Sequence, residues 1–104
     1  MAEEVDPEIF WTPAAQKSFK KIVDYLEKNW TEREVGNFIN ETVDLLSNIQ
    51  RQPEMCRPSS KRKNVRIGTV NKHTQIVYHY QPKKRQITVL LFWNFKQDPN
   101  RLKY

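Results

Sequence analysis

Trp30-Thr31-Glu32-Arg33-Glu34-Val35 marks where one helix ends and the next begins. Thr31 and Glu34 have the spacing of a capping box, in which a hydroxyl and a carboxylate three residues on satisfy each other's free backbone N–H groups. Trp30 and Val35 flank the box as a hydrophobic staple. Downstream, Val35, Phe38, Ile39, Thr42, Leu45, Leu46 and Ile49 recur at helical spacing until Pro53 forbids more helix. Upstream, Thr12-Pro13 reads as an N-cap followed by proline at the first helical position, where its missing N–H costs nothing. Ala15, Phe19, Ile22, Val23, Leu26 and Trp30 then form the buried stripe of a first helix. Lys17, Lys20, Lys21, Asp24 and Lys28 fall mostly on its other side. Two amphipathic helices with almost no loop between them pack as an antiparallel hairpin.

Outside the hairpin the pattern changes. Ile9-Phe10-Trp11, after Pro7, is long enough for a short strand. Residues 51–64 form a connector that carries Pro53 and Pro58 and ends in Lys61-Arg62-Lys63. Beyond it the apolar period drops from 3.6 to 2. Val65, Ile67 and Thr69 alternate with Arg66, Gly68 and Val70, and Ile76, Tyr78 and Tyr80 alternate with Val77, His79 and Gln81. Asn71-Lys72-His73 and Pro82-Lys83-Lys84-Arg85 sit at the hairpin turns. Residues 87–95 are apolar on both faces apart from Thr88 and Asn94, which predicts a covered, central strand. The expected architecture is α+β: a short N-terminal strand, an antiparallel helical hairpin, then a three-stranded antiparallel meander, in one domain over residues 1–104. One sheet face lies under the hairpin and the other is partly open.

The charges are sorted along the chain. Residues 1–54 hold 11 acidic and 6 basic side chains, a net of −5, whereas residues 55–104 hold 12 basic side chains and one acid, Asp98, a net of +11. Such a division suits a surface that meets an anionic partner. The single Cys56 forms no internal disulfide, as expected in a reducing cytosol. No apolar run nears the roughly 20 residues of a membrane span, and the N-terminus is acidic where a secretory signal is basic and then apolar. A cytoplasmic protein with no membrane partner is expected.

Most catalytic and cofactor chemistry finds no footing in the residues. Cys56, His73 and His79 lack the spacing of a zinc site, so no metal is expected. Two glycines in all make no phosphate-cradling loop, and no cofactor is expected. Ser59 and Ser60 lie in the connector with nothing to activate them, and Glu32 and Glu34 are accounted for by the helix start. What remains is a basic and aromatic surface: Lys61, Arg62, Lys63 and Arg66 leading into the first meander strand, then Lys96, Arg101 and Lys103 after the last, with Tyr104 at the end. Lys83, Lys84 and Arg85 read as solvated turn residues that also guard sheet edges.

From residue 9 to residue 102 the chain resembles the RelE/ParE superfamily of toxins from type II toxin–antitoxin modules. The resemblance is carried by Trp11-Thr-Pro-Ala-Ala15 before a helix and by a second helix that ends in a proline after Ile49-Gln-Arg-Gln. It continues through Val65-Arg66-Ile67, Ile76-Val77-Tyr78-His79-Tyr80 and the run from Leu91 to Pro99. It implies a toxin silenced by a cognate acidic antitoxin, in an assembly such as a heterotetramer, and aimed at DNA gyrase in the ParE-like arm or at ribosome-bound mRNA in the RelE-like arm. For the RNA-cutting arm it implies Arg66, Lys96, Tyr104 and His73 as candidate catalytic residues. The second basic position of that pattern is Gly68 here, and the third is Gln75. The ParE-like, gyrase-directed reading is therefore preferred, with Lys61, Arg62, Lys63, Arg66, Lys96 and Arg101 as the target-binding surface. RNA cleavage and plain nucleic-acid binding stand as alternatives.

Overall fold

The computed structural model describes residues 6–97 together with Leu102 and Tyr104. In chain order the elements are β1 (Glu8–Trp11), α1 (Pro13–Asn29), α2 (Glu32–Arg51), β2 (Arg57–Pro58), β3 (Val65–Asn71), β4 (Thr74–Gln81) and β5 (Gln86–Asn94). A single turn of 3-10 helix, Pro82–Lys84, joins β4 to β5. The architecture is the expected α+β, with a five-stranded sheet in the order β1-β5-β4-β3-β2. The meander is antiparallel, and β1 runs parallel to β5 at one edge. The two-residue β2 at the other edge was not anticipated: the connector pairs Arg57 with Ile67 and Pro58 with Arg66.

Both helix starts are built from threonine, in different ways. The Thr12 hydroxyl accepts from the Ala15 N–H at 3.0 Å and donates to the Leu90 carbonyl at 3.1 Å, so one side chain caps α1 and docks it on β5. At α2 the reciprocal box is replaced by a direct bond, the Thr31 hydroxyl donating to the Glu34 carboxylate. Trp30 is both the C-cap of α1 and the residue before the N-cap of α2, and its side chain is 54% exposed. Ile39 is also more exposed than its stripe predicts. Val43, outside the stripe, is exposed as well, and Ala15, Ile22, Phe38, Thr42 and Ile49 of the two stripes are buried.

The main core lies between the hairpin and the sheet, where Ile76, Tyr78, Ile87, Val89 and Phe92 meet these helix residues. Phe19 is its aromatic hub, 5.1 Å from the rings of Phe38 and Phe92 and 5.2 Å from Trp11. A bulge then changes the phase of β5. Val77 pairs with Leu91 and Tyr78 with Val89, so Leu90 is left over and shares the outer face with Leu91. This explains a run that is apolar on both faces. On the outer face Val65, Ile67 and Val77 form a second, smaller cluster with Leu90 and Leu91, and Leu102 and Tyr104 pack over it.

Candidate functional site

The sequence-predicted basic residues fall into three places. Arg66 is on the helix-side face of β3, between Val65 and Ile67, which point outward. Its guanidinium donates to the Cys56 carbonyl at 2.6 Å and to the Glu54 carbonyl at 3.1 Å. The Glu54 carboxylate is 3.7 Å away. The side chain therefore clamps the connector against the sheet.

Gly68, two residues on, is determined by the same packing. A Cβ there would lie 2.7 Å from Cys56 Sγ and 3.2 Å from Ile76 Cγ2, so the connector leaves no room for the basic residue of the RNA-cutting pattern. Gln75 is opposite Thr69 and Trp93 in the register. Beside Cys56, the fully buried Tyr78 donates its hydroxyl to the Pro53 carbonyl at 2.8 Å. Burial, followed by the Cys56 thiol, raises its hydroxyl pKa well above the ordinary phenol value.

Lys61, Arg62 and Lys63 are exposed where the chain enters β3. The Ser59 hydroxyl holds this segment in a turn, accepting from the N–H groups of Lys61 and Arg62 at 3.1 Å each. It also donates to the Tyr104 carbonyl, which returns the C-terminal residue to the outer face. The Arg62 guanidinium then lies 4.5 Å from the centroid of the Tyr104 ring. Tyr104 thus reaches a basic residue despite its distance along the chain, but on the opposite sheet face from Arg66.

His73 and Lys96 lie together at the far end of the sheet, where the Phe95 N–H donates to the His73 carbonyl at 2.8 Å. The length of β3, about 20 Å, separates them from Arg62. They line an open groove of about 640 Å³ between the helical hairpin and the β3–β4 turn, with Tyr25, Trp30, Glu34 and Glu41. Asn71 and Asn94 fix its floor: Asn71 Nδ2 donates to Glu41 Oε1 at 3.1 Å, and Asn94 Nδ2 to Thr74 Oγ1 at 3.0 Å. Arg101 lies outside the described residues. Among the described residues no three His, Cys, Asp or Glu side chains are grouped to hold a metal ion, and no helix is long and apolar enough to cross a membrane.

The sequence pattern missed Lys83, Lys84 and Arg85 as companions of Lys61–Lys63. Their neighbourhood follows from the strand register: the Tyr80 N–H donates to the Asn64 carbonyl at 3.0 Å, setting the β4–β5 turn beside the start of β3.

This sheet and hairpin are those of the small RelE/ParE toxins. The structure is similar to a chain of the chromosomal ParDE toxin–antitoxin system from P. aeruginosa, with a TM-score of 0.69 and 16% identity over 85% of this chain and 95% of that one. It is also similar to a chain of the RelBE2 toxin–antitoxin complex from Mycobacterium tuberculosis, with a TM-score of 0.60 and 11% identity over 86% and 99%. A third likeness is to the E. coli DinJ-YafQ complex, with a TM-score of 0.65 and 10% identity over 92% and 100%. No curated protein sequence matches the chain. The family model for the ParE toxin of type II toxin-antitoxin system, parDE, matches residues 9–99, and the chain belongs to this family.

Proposed function

We propose that this protein is a cytoplasmic toxin that inhibits DNA gyrase by binding it, without cutting nucleic acid, and that a cognate acidic antitoxin neutralises it. The observation that carries this reading is the state of Arg66. The cation that the RNA-cutting pattern requires is hydrogen-bonded to the carbonyls of Glu54 and Cys56 and sits on the helix-side face. Cleavage by in-line phosphoryl transfer needs donors aimed at one point where charge develops. Here Gly68 and Gln75 take two of the basic positions, and His73 and Lys96 are about 20 Å from the Arg62–Tyr104 pair. The ParE family match points the same way. The complexes among the structural neighbours, ParDE, RelBE2 and DinJ-YafQ, support an antitoxin partner. The +11 half of the chain offers that partner's acidic segment a complementary charge.

The test is a supercoiling assay with purified gyrase and this protein in micromolar excess. Inhibition that stoichiometric antitoxin relieves is expected, and unimpaired supercoiling would overturn the proposal. One observation favours a second reading, mRNA cleavage on the ribosome: Tyr104 folds back to lie under Arg62. New breaks within codons in a translating extract, abolished in Tyr104→Phe, would favour that reading instead.

A further inference from the structure

Six cationic residues gather at one end of the sheet from two segments that are distant in sequence. Lys61, Arg62 and Lys63 precede β3, and Lys83, Lys84 and Arg85 turn the chain from β4 into β5; all six are exposed. The Asn64–Tyr80 backbone bond sets the two segments side by side, one to two strand spacings apart, or about 5–10 Å. A small hollow of about 220 Å³, lined by Glu54, Pro58, Asn64, Arg66, Tyr80 and Pro82 among others, lies beside the residues that follow the first segment and precede the second. Both segments are held in shape. Ser59 pins the first. In the second, Pro82 opens the 3-10 turn, and Arg85 ends it in the left-handed region at φ 51°, its N–H donating to the Pro82 carbonyl. Carboxylates of the described residues lie near this end too: Glu54, beside Arg66, and Glu8, opposite Gln86.

We infer that this cationic end binds the sugar–phosphate backbone of duplex DNA. The surface chemistry selects that occupant. An amphipathic acidic segment would need apolar surface to bury, but among the described residues the exposed large apolar ones, Phe10, Trp30, Ile39, Val43, Met55 and Phe95, all lie outside both segments. A single strand would need bare aromatic rings for its bases to stack on. Here Tyr80 is half-buried and Arg62 lies over the ring of Tyr104. Fixed cations without an apolar or stacking surface match a ligand whose affinity comes from counterion release. Their separation spans about one and a half to three steps of one backbone, which rises about 3.4 Å per nucleotide. The inference deepens the gyrase reading, on which its biological setting rests, because gyrase acts on duplex DNA. Its test contains no gyrase, so either proposal can fail alone.

The test is fluorescence anisotropy of a short labelled duplex of mixed sequence, titrated with the full chain over a range of salt concentrations. The wild type should bind, with log affinity falling steeply against log salt. Replacing Lys61, Lys63, Lys83 and Lys84 together by alanine should reduce the slope by about 3 to 4, near 0.9 for each phosphate left without its cation, and weaken low-salt binding by about tenfold or more. Replacing the same four by arginine should keep both slope and affinity. Lys17→Ala with Lys28→Ala, on the exposed side of α1, should leave binding unchanged. Absent or salt-independent wild-type binding would overturn the inference, as would an unchanged slope in the alanine variant. Tighter binding of a single strand of equal length would overturn the duplex assignment. Displacement by polyglutamate as effective as by unlabelled duplex would assign the surface to an acidic protein.

Discussion

Cys56 Sγ lies 2.7 Å from the position a Cβ on Gly68 would take, so the connector and β3 are in contact at a point where only glycine fits. Nearby, Arg66 holds the carbonyls on either side of Met55. Gly68→Ala should destabilise the protein by about 1–3 kcal/mol through overpacking, because Ile76 closes the other side at 3.2 Å. Cys56→Ala in the same chain should recover much of that loss, since the two positions share one volume. Urea unfolding of the two single variants and the double variant measures the coupling. Additive losses would show that the Cys56–Gly68 approach does not set the residue at position 68.

Tyr78 gives the fold an alkaline limit. Its hydroxyl is protonated in the native state well above the ordinary phenol value of 10.0, because burial disfavours the phenolate. Unfolding frees the group to ionise at its usual pKa. The associated stability is thus fully present below about pH 10 and is lost as pH rises above it. Tyr78→Phe should remove this alkaline loss while costing about 1 kcal/mol at neutral pH for the bond to the Pro53 carbonyl. Denaturant midpoints taken on both sides of pH 10 would show whether the two curves cross or converge as this requires.

Glu34 should act in the opposite direction at the acid end. The Thr31 hydroxyl donates to its carboxylate, which lowers its pKa from the usual 4.5. A depressed native pKa means stability that is present above the unfolded value and is lost as pH falls through the native one. Thr31→Val removes the donor, so the variant should lose less stability than the wild type on acidification below about pH 4.5. Thermal midpoints measured from neutral to acid pH report the difference. Parallel curves for the two proteins would rule the Thr31–Glu34 bond out as a source of acid sensitivity.

The parts of this fold that were legible in the sequence were local. Thr12-Pro13, Thr31 and Pro53 bracket the helices because capping and proline geometry act within one turn. Strand period located β3 and β4, and an apolar run on both faces located β5. Ile39 and Trp30 were misjudged because a helical stripe gives a direction but not the width of the sheet beneath it. The Arg57–Pro58 strand has too few residues to carry a period, and its pairing follows from the non-local packing of Cys56 on Gly68. Arg66 looked like an available cation because its partners are backbone carbonyls 10 and 12 residues earlier, which no side-chain spacing reveals. The 83–85 turn looked like ordinary solvated loop for a related reason. Its neighbours at 61–63 are reached only across β4.

The C-terminal residue should measurably hold the outer face. Tyr104 packs over Val65, Ile67 and Val77, and its carbonyl accepts from the Ser59 hydroxyl. Arg62 covers the far side of its ring at 4.5 Å. Tyr104→Ala should cost about 1–3 kcal/mol, since an amphipathic ring that shields a small apolar cluster is removed. Arg62→Ala should cost less, about 0.5–1 kcal/mol, because the cation–π pair is solvent-exposed. If the two side chains act through each other, the double variant should lose less than the sum of the single losses, by about the size of the Arg62 effect. Tyr104→Phe, which keeps the ring, should stay close to the wild type. Urea melts of the four variants decide the case: a Tyr104→Ala protein as stable as the wild type would mean that Leu102 and the sheet residues close the outer face without it.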